Sequence, residues 1–185
     1  MEMPKPDAEV ISRRHQIILA MSSIVTDEGL ITDAEEMRAY DHDGLMVYKA
    51  QPLIVVLPKT TEEISRILKY CHDNNIKIVP RGAGTGLSGG ALPLADAITL
   101  GLGKFKEILE IDFDNRAVVA QPGVTNLAVT QAVESKGFYY APDPSSQIAC
   151  SIGGNIAENS GGVHSLKYGL TTNNVLGIEM VLMSG

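Results

Sequence analysis

Nine residues at positions 82–90, GAGTGLSGG, are the strongest candidates for chemistry in this sequence, because five of them are glycine. Gly84, Gly86 and Gly89 match G-x-G-x-x-G, the spacing of loops that bind the pyrophosphate of a dinucleotide. A loop without Cβ atoms lets main-chain N–H groups come close to a phosphate. These residues therefore predict a phosphate-binding loop, with a plain flexible linker as the alternative.

The residues within and after the loop argue against a Rossmann fold. In that fold the fingerprint opens a helix whose N-terminus carries the pyrophosphate. A helix here would cross Gly89, Gly90 and Pro93, at a cost of about 1 kcal/mol for each glycine and about 3 kcal/mol for the proline. A Walker loop is excluded as well, because Gly103-Lys104 is followed by Phe105. The sequence thus predicts a phosphate loop of another kind, which turns back into a strand.

The elements before the loop predict a βαβ unit. Leu53–Leu57 and Ile76–Val79 are short apolar runs, each closed by a proline, and Ile98–Leu100 adds a third strand. Between the first two lies a helix whose N-terminus has the capping-box spacing of Thr60 and Glu63. The loop then follows the carboxyl end of a parallel strand, the edge where open α/β sheets bind their ligands.

Beyond residue 103 the pattern changes to α+β. Two alternating runs joined at residues 113–115 predict an antiparallel hairpin, and Thr125–Lys136 predicts a helix with Thr125 as its N-cap. Asn174–Gly185 predicts a final strand.

The predicted fold class is therefore α/β plus α+β. Residues 1–48 form a helical lead-in, with an amphipathic helix in Ser12–Val25. Residues 49–103 form a first, βαβ subdomain, and residues 104–185 form a second, α+β subdomain.

A second glycine-rich segment, Tyr139–Gly169, is turn-rich yet apolar, so disorder is not expected. Its small residues suggest a close approach of the backbone to a flat ligand, and a short helix over Gly154–Asn159 could direct its N-terminus at an anion. A tightly packed structural loop is the alternative. His164 is interpreted as structural, with a catalytic role as the alternative. Asp143 either faces a ligand or caps a neighbouring N–H.

Composition narrows the remaining classes. The formal net charge is −7 and no basic stripe occurs, which disfavours nucleic-acid binding. No run approaches the roughly 18 apolar residues of a membrane span. Cys71 and Cys150 are widely separated and predict buried thiols in a reducing cytosol. Asp41-His42-Asp43 predicts a surface turn, and no nucleophile with a base and no metal-ligand cluster is recognised, so no catalytic or metal-binding residue is assigned.

Long motifs give this sequence a family resemblance. PRGAGTGLSGGALP (80–93), QPGVTNLAVTQAV (121–133), APDPSSQIACSIGGNIAENSGGVHSLKYG (141–169) and VLGIEMVL (175–182) resemble the PCMH-type FAD-binding domain of the vanillyl-alcohol oxidase flavoprotein family. YDHDGLMVYKAQPLIVVLPKTTEEI (40–64) resembles the approach to that domain. Within the family the sequence is most similar to the D-subunit group of glycolate oxidases, and next to D-lactate and D-2-hydroxyglutarate dehydrogenases.

The resemblance implies a set of cofactor-binding residues. The first loop would hold the FAD pyrophosphate, through main-chain N–H groups where they exist: Pro80, Arg81, Gly82, Ala83, Gly84, Thr85, Gly86 and Gly89. The second segment would lie along the cofactor and line the flavin: Pro142, Asp143, Ser145, Gly153, Gly154, Asn159, Gly161 and Gly162. Because no His or Cys adjoins Gly89-Gly90-Ala91, the FAD is expected to be non-covalent.

The resemblance also implies an activity. Family enzymes have two FAD subdomains with the cofactor between them, and pass a hydride from C2 of a small 2-hydroxy acid to flavin N5. They are longer, so this chain is expected to be truncated at its C-terminus and inactive alone. Other glycolate oxidase subunits are expected partners. The protein is expected in the cytoplasm, with any membrane association made through those subunits. D-lactate or another D-2-hydroxy acid as substrate, and a non-catalytic FAD-binding subunit, are the alternatives.

Overall fold

The computed structural model describes residues 3–185, apart from the side chain of Asp27. By their internal contacts these residues divide into two compact units. The first unit contains the chain as far as Arg81, together with Leu87–Leu102 and Met180–Gly185. The second unit contains Gly82–Gly86 and Gly103–Glu179.

The first unit is built on a four-stranded sheet. Its strands are β1 (Leu30–Ile31), β2 (Ile54–Val56), β3 (Lys77–Arg81) and β4 (Ala97–Gly101). The strand order is β1-β2-β4-β3. β1 is antiparallel to β2, whereas β2 and β3 both run parallel to β4. Its helices are α1 (Ala8–Ser12), α2 (Arg14–Ser22) and α3 (Thr61–Asp73), with 3₁₀ turns at Asp27–Gly29 and Glu36–Tyr40.

The core of the first unit lies where the sheet is covered by α2 and α3. Ile54 and Ile98 are fully buried in the sheet, with Ile67 from α3 and Ile17 from α2 beside them. Cys71 of α3 belongs to this core, and burial raises the pKa of its thiol to about 12. It is therefore a packed apolar residue without thiolate at neutral pH, which confirms the predicted buried cysteine.

The predicted βαβ unit is confirmed. Thr60 caps α3, its hydroxyl accepting from the N–H of Glu63 at 3.1 Å. The two strands that flank α3, β2 and β3, run in the same direction, but β4 lies between them. After β3 the chain forms an irregular loop over residues 82–96 and enters β4 without a helix. This is the result expected for a fold that is not Rossmann.

The second unit contains the antiparallel hairpin of β5 (Ile108–Asp112) and β6 (Ala117–Ala120), with an irregularity in register between Ile108 and Glu110. The predicted helix begins as expected, because Thr125 caps α4 (Asn126–Val133). It ends in a 3₁₀ turn at Glu134–Lys136, before the left-handed Gly137. Two short helices follow, α5 (Ile152–Glu158) and α6 (Ser165–Tyr168), and a 3₁₀ turn at Thr171–Asn174.

The prediction of a final strand over Asn174–Gly185 is wrong for this structure. Residues 175–182 pair with no strand among residues 3–185, although Val175 is extended. A strand requires a hydrogen-bonded neighbour, and apolar alternation cannot supply one. Alternate side chains of the segment are strongly exposed, among them Leu176, Ile178 and Leu182.

Candidate functional site

The first glycine loop presents a row of free main-chain donors. Among the residues that the structure describes, no hydrogen-bond partner is found for the N–H groups of Gly82–Gly86. Gly84 has φ +72°, a left-handed conformation that favours glycine. Successive N–H groups in such a conformation form the concave donor surface that binds anions.

This loop lies against the start of α5 in the second unit. A Cβ atom on Gly82 would collide with Ser151 Oγ and stand 3.7 Å from the N atom of Gly154. Ser151 caps α5, its hydroxyl accepting from the Gly154 N–H at 3.3 Å. The structure thus brings the first loop and Gly154 of the second glycine segment together. The short helix predicted in that segment is confirmed, and it begins two residues earlier, at Ile152.

Two glycines of the second segment, Gly153 and Gly162, are required by chain packing. A Cβ on Gly153 would stand 2.7 Å from Cβ of Pro122, and one on Gly162 would collide with the main chain of Asp143. A Cβ on Gly161 would meet only the side-chain ends of Ser165 and Leu170 at short range. Close packing of the backbone is therefore enough to explain Gly153 and Gly162, which corresponds to the packed-loop alternative.

Asp143 is engaged with His164 in the second unit. Its Oδ1 accepts from the main-chain N–H of His164 at 3.2 Å, and its Oδ2 lies 2.7 Å from Nδ1 of the ring. The side chain of Asp143 is 15% exposed and that of His164 is 48% exposed. The rings of Tyr139 and Tyr168 lie 5.8 and 6.4 Å from the His164 ring. Of its two predicted roles, Asp143 makes the backbone cap in this structure.

Of the other predicted residues in the second segment, some make hydrogen bonds within the chain and one is exposed. The Pro142 carbonyl accepts from Nδ2 of Asn126 at 3.0 Å, whereas Ser145 is exposed. Asn159 ends α5 in a left-handed conformation, and its side-chain oxygen accepts from the Thr172 N–H at 3.1 Å.

Two buried asparagines were not predicted as site residues from the sequence. Asn126 and Asn155 are 0% and 1% exposed, and within the described chain Oδ1 of Asn126 and Nδ2 of Asn155 have no hydrogen-bond partner. Leaving a buried amide atom unpaired is costly, so each is a candidate for contact with a polar ligand. The sequence signal that could have identified both residues is an amide side chain near the start of an otherwise apolar helix.

The Asp41–Asp43 segment is not a simple surface turn. Asp43 is 4% exposed, and its Oδ2 accepts from the N–H of Gly89 at 2.9 Å within the first unit. The surface-turn prediction fails for Asp43 because its partner is distant in sequence. Arg81 is also buried, and its guanidinium donates to main-chain oxygens. Among the described residues no group of three or more His, Cys, Asp or Glu could hold a metal ion.

A model of a family described as "FAD binding domain" matches residues 52–185. Glycolate oxidase subunit GlcD of Escherichia coli (strain K12) is 52% identical over 172 residues, which cover 93% of this chain and 34% of that protein. D-lactate dehydrogenase of Anaerostipes hadrus is 38% identical over 147 residues, which cover 79% of this chain and 31% of that protein. The chain thus spans about a third of the length of these curated relatives.

Solved structures show the same fold. An alkyldihydroxyacetonephosphate synthase aligns with a TM-score of 0.81 at 21% identity, covering 100% of this chain and 36% of that one. At this identity the likeness establishes the architecture and leaves the chemistry to the residues described above.

Proposed function

This chain belongs to the family of FAD-binding domains, and we propose that it is the FAD-binding part of a 2-hydroxy-acid oxidoreductase of the glycolate oxidase type. The observation that carries the proposal is the row of free N–H groups at Gly82–Gly86. The similarity to glycolate oxidase subunit GlcD supports the choice of substrate class.

The residues present suit a dinucleotide cofactor. The loop from Gly82 to Gly90 carries no charged side chain, so the pyrophosphate would be held by main-chain dipoles. Gly154 adjoins that loop at Gly82. The unpaired amide atoms of Asn126 and Asn155 would serve polar groups of the same ligand. When bound, FAD supplies the redox chemistry, and this chain binds and orients it.

The proposal distinguishes two roles within the first loop. Gly82, Ala83, Gly84, Thr85 and Gly86 would donate to the pyrophosphate, because their N–H groups have no other partner among the described residues. The N–H of Gly89 already donates to Asp43, so Gly89 would shape the loop. The second glycine segment would supply a further group of residues that lies along the cofactor: Pro142, Asp143, Ser145, Gly153, Asn159, Gly161 and Gly162.

A charge-matched pair of substitutions at Gly84 tests the proposal. Asn and Asp tolerate a positive φ similarly, so Gly84→Asn and Gly84→Asp introduce comparable strain. Only Gly84→Asp places a negative charge among the donors. We expect its Kd for FAD to exceed that of Gly84→Asn by about tenfold or more at low salt, with the gap narrowing as salt is added.

The measurement is titration of the protein with FAD, followed by flavin fluorescence, with Gly103→Asp as the control. Gly103 is exposed, and a Cβ there would meet nothing within 4 Å. Equal affinities for the two Gly84 variants would exclude the loop as the pyrophosphate site. A wild-type protein that ignores excess FAD would refute the proposed function itself. Denaturation should release the FAD intact, because the attachment is proposed to be non-covalent.

Partners and location follow from the same proposal. We assign the protein to a multi-subunit glycolate oxidase in the cytoplasm, in keeping with the name of its relative as a subunit. Any membrane association would be through other subunits. None of the helices in residues 3–185 has the length and apolar character to cross a bilayer.

A further inference from the structure

Four residues in the first unit connect the N-terminal lead-in to the first glycine loop. Tyr40, His42 and Asp43 come from the lead-in, and Arg81 stands at the end of β3 where the loop begins. We refer to these four as the lead-in clamp. We propose that Asp43 is a positioning residue, which fixes the conformation of the phosphate loop so that its donors are preorganised for FAD. This inference rests on the proposed function.

The Asp43 carboxylate is itself held in place. It is 4% exposed, and its Oδ1 accepts from the N–H of Leu45 at 3.0 Å, within its own turn. This bond leaves Oδ2 to accept from the N–H of Gly89 at 2.9 Å. A buried carboxylate that accepts a hydrogen bond on each oxygen holds the loop rigidly, because it cannot rotate without losing both hydrogen bonds.

Gly89 needs such a support because packing does not provide one. It has φ +82°, and a Cβ atom there would meet nothing within 4 Å. Its carbonyl accepts only from the nearby Leu92 N–H, at 3.1 Å, among the bonds of the described chain. Glycine in open space has many accessible conformations. The bond from Asp43 is therefore the long-range contact that selects one of them.

Arg81 fixes the two ends of the same loop. Its Nη1 donates to the carbonyl of His42 at 2.6 Å and to that of Ala91 at 3.2 Å. The Tyr40 ring faces the guanidinium, with 5.6 Å between Cζ and the ring centroid. The guanidinium thus joins the lead-in to Ala91, which directly follows the last glycine of the loop. The main chain of Arg81 directly precedes the first glycine.

The charges of the clamp are mutually supporting. Burial lowers the pKa of Arg81 from its ordinary value, and Tyr40, Asp43 and Asp41 act in the opposite direction. Removing Asp43 would therefore release Gly89 and also take away part of the negative charge that compensates Arg81. Both effects loosen the loop from the lead-in side, without removing any atom proposed to touch FAD.

The test uses Asp43→Ala and Asp43→Asn, with Asp96→Ala as the matched control. Among the residues that the structure describes, Asp96 is the other buried carboxylate of the first unit, and it accepts from Asp7 and Lys77, which are not part of the clamp. We expect Asp43→Ala to raise the Kd for FAD about tenfold or more. Asp43→Asn keeps one of the two acceptor oxygens, for either the Gly89 or the Leu45 N–H, and should recover part of the affinity. Asp96→Ala should lower Tm and leave the Kd within about twofold.

Hydrogen exchange of the FAD-free protein gives a second readout. In Asp43→Ala, peptides covering residues 82–91 should exchange faster, while those covering α3 should not. Unchanged affinity and exchange in Asp43→Ala would overturn the inference, as would a loss of affinity that Asp96→Ala reproduces at equal loss of Tm. If Asp43→Ala does not fold, the same comparison is made with Asp43→Asn. Failure of the wild type to bind FAD refutes the proposed function, whereas wild-type binding with indifferent Asp43 variants refutes the positioning role alone.

Discussion

At the residue scale, Asp96 shows how one buried charge can organise the N-terminal part of the first unit. Its carboxylate, 2% exposed, accepts from Lys77 Nζ at 2.6 Å and from the main-chain N–H of Asp7 at 2.9 Å. Burial alone would raise the pKa of Asp96. The hydrogen bonds from Lys77 and Asp7 outweigh it and hold the pKa below its ordinary value. The ionised form therefore ties the chain before α1 to the start of β4.

This arrangement predicts a pH-dependent contribution to stability. A lowered folded-state pKa stabilises the protein above the unfolded value of about 3.9, and the contribution is lost as pH falls through the folded-state pKa. Asp96→Asn should therefore reduce the free energy of unfolding by roughly 1–3 kcal/mol at pH 7. The deficit should shrink below about pH 4. Urea unfolding of both proteins between pH 7 and pH 3 measures it.

Lys77→Met provides the control for the sign. Without the ammonium group, burial of Asp96 is opposed by main-chain N–H groups alone, those of Asp7 and of Asp96 itself, and its pKa should rise. The loss of stability on acidification should then begin at higher pH than in the wild type. A deficit in Asp96→Asn that stays constant down to pH 3 would mean that the carboxylate does not titrate with folding.

At the element scale, α3 connects local sequence signals to the position of the first glycine loop. Its buried face contributes Ile67, Leu68 and Cys71 to the core of the first unit. Packing of this face positions β3, whose end leads directly into the loop. The Glu63 side chain bonds the N–H of Lys59 at 2.5 Å, one residue before the expected Thr60. The cap is thus a displaced version of the predicted capping box.

The cap itself is testable. Thr60→Ala removes the acceptor for the Glu63 N–H and should lower the free energy of unfolding by about 1 kcal/mol. Thr60→Ser keeps the hydroxyl and should stay within a few tenths of a kcal/mol of the wild type. Denaturant unfolding followed by circular dichroism measures both. Equal losses in the two variants would attribute the effect to the lost methyl group of Thr60.

At the scale of the whole molecule, the cofactor and the substrate pose separate questions. We propose cofactor contacts in two glycine segments of the described residues, and the chain spans about a third of the length of its curated relatives. Substrate choice is therefore a separate property, to be measured directly. The greater identity to GlcD than to the D-lactate dehydrogenase leads us to expect glycolate.

The expected substrate profile can be stated in terms of one methyl group. D-lactate differs from glycolate by a methyl, and a pocket fitted to the smaller acid discriminates by about tenfold or more in kcat/KM. Anaerobic mixing with each acid, followed by loss of the oxidised-flavin absorbance, measures the rates. Faster bleaching by D-lactate would favour the D-lactate dehydrogenase alternative. No bleaching by glycolate, D-lactate or D-2-hydroxyglutarate would contradict the proposed activity and favour a non-catalytic FAD-binding subunit.

Features that depend on neighbouring residues were predictable from the sequence. The capped helices at Thr60 and Thr125, the β5–β6 hairpin and the glycine loop without a Rossmann helix all follow from local patterns. Such patterns act over a few residues, so they can be read along the chain.

Contacts between groups that are distant in sequence could be read from the folded chain but not from the sequence. It placed Asp43 against Gly89, 46 residues away, where the sequence predicted a surface turn. It showed that Gly153 and Gly162 leave room for Pro122 and Asp143, and that residues 175–182 have no strand partner within residues 3–185. These outcomes depend on contacts between segments far apart along the chain. Residue types fix what a group can bind, and the fold fixes which partner it reaches.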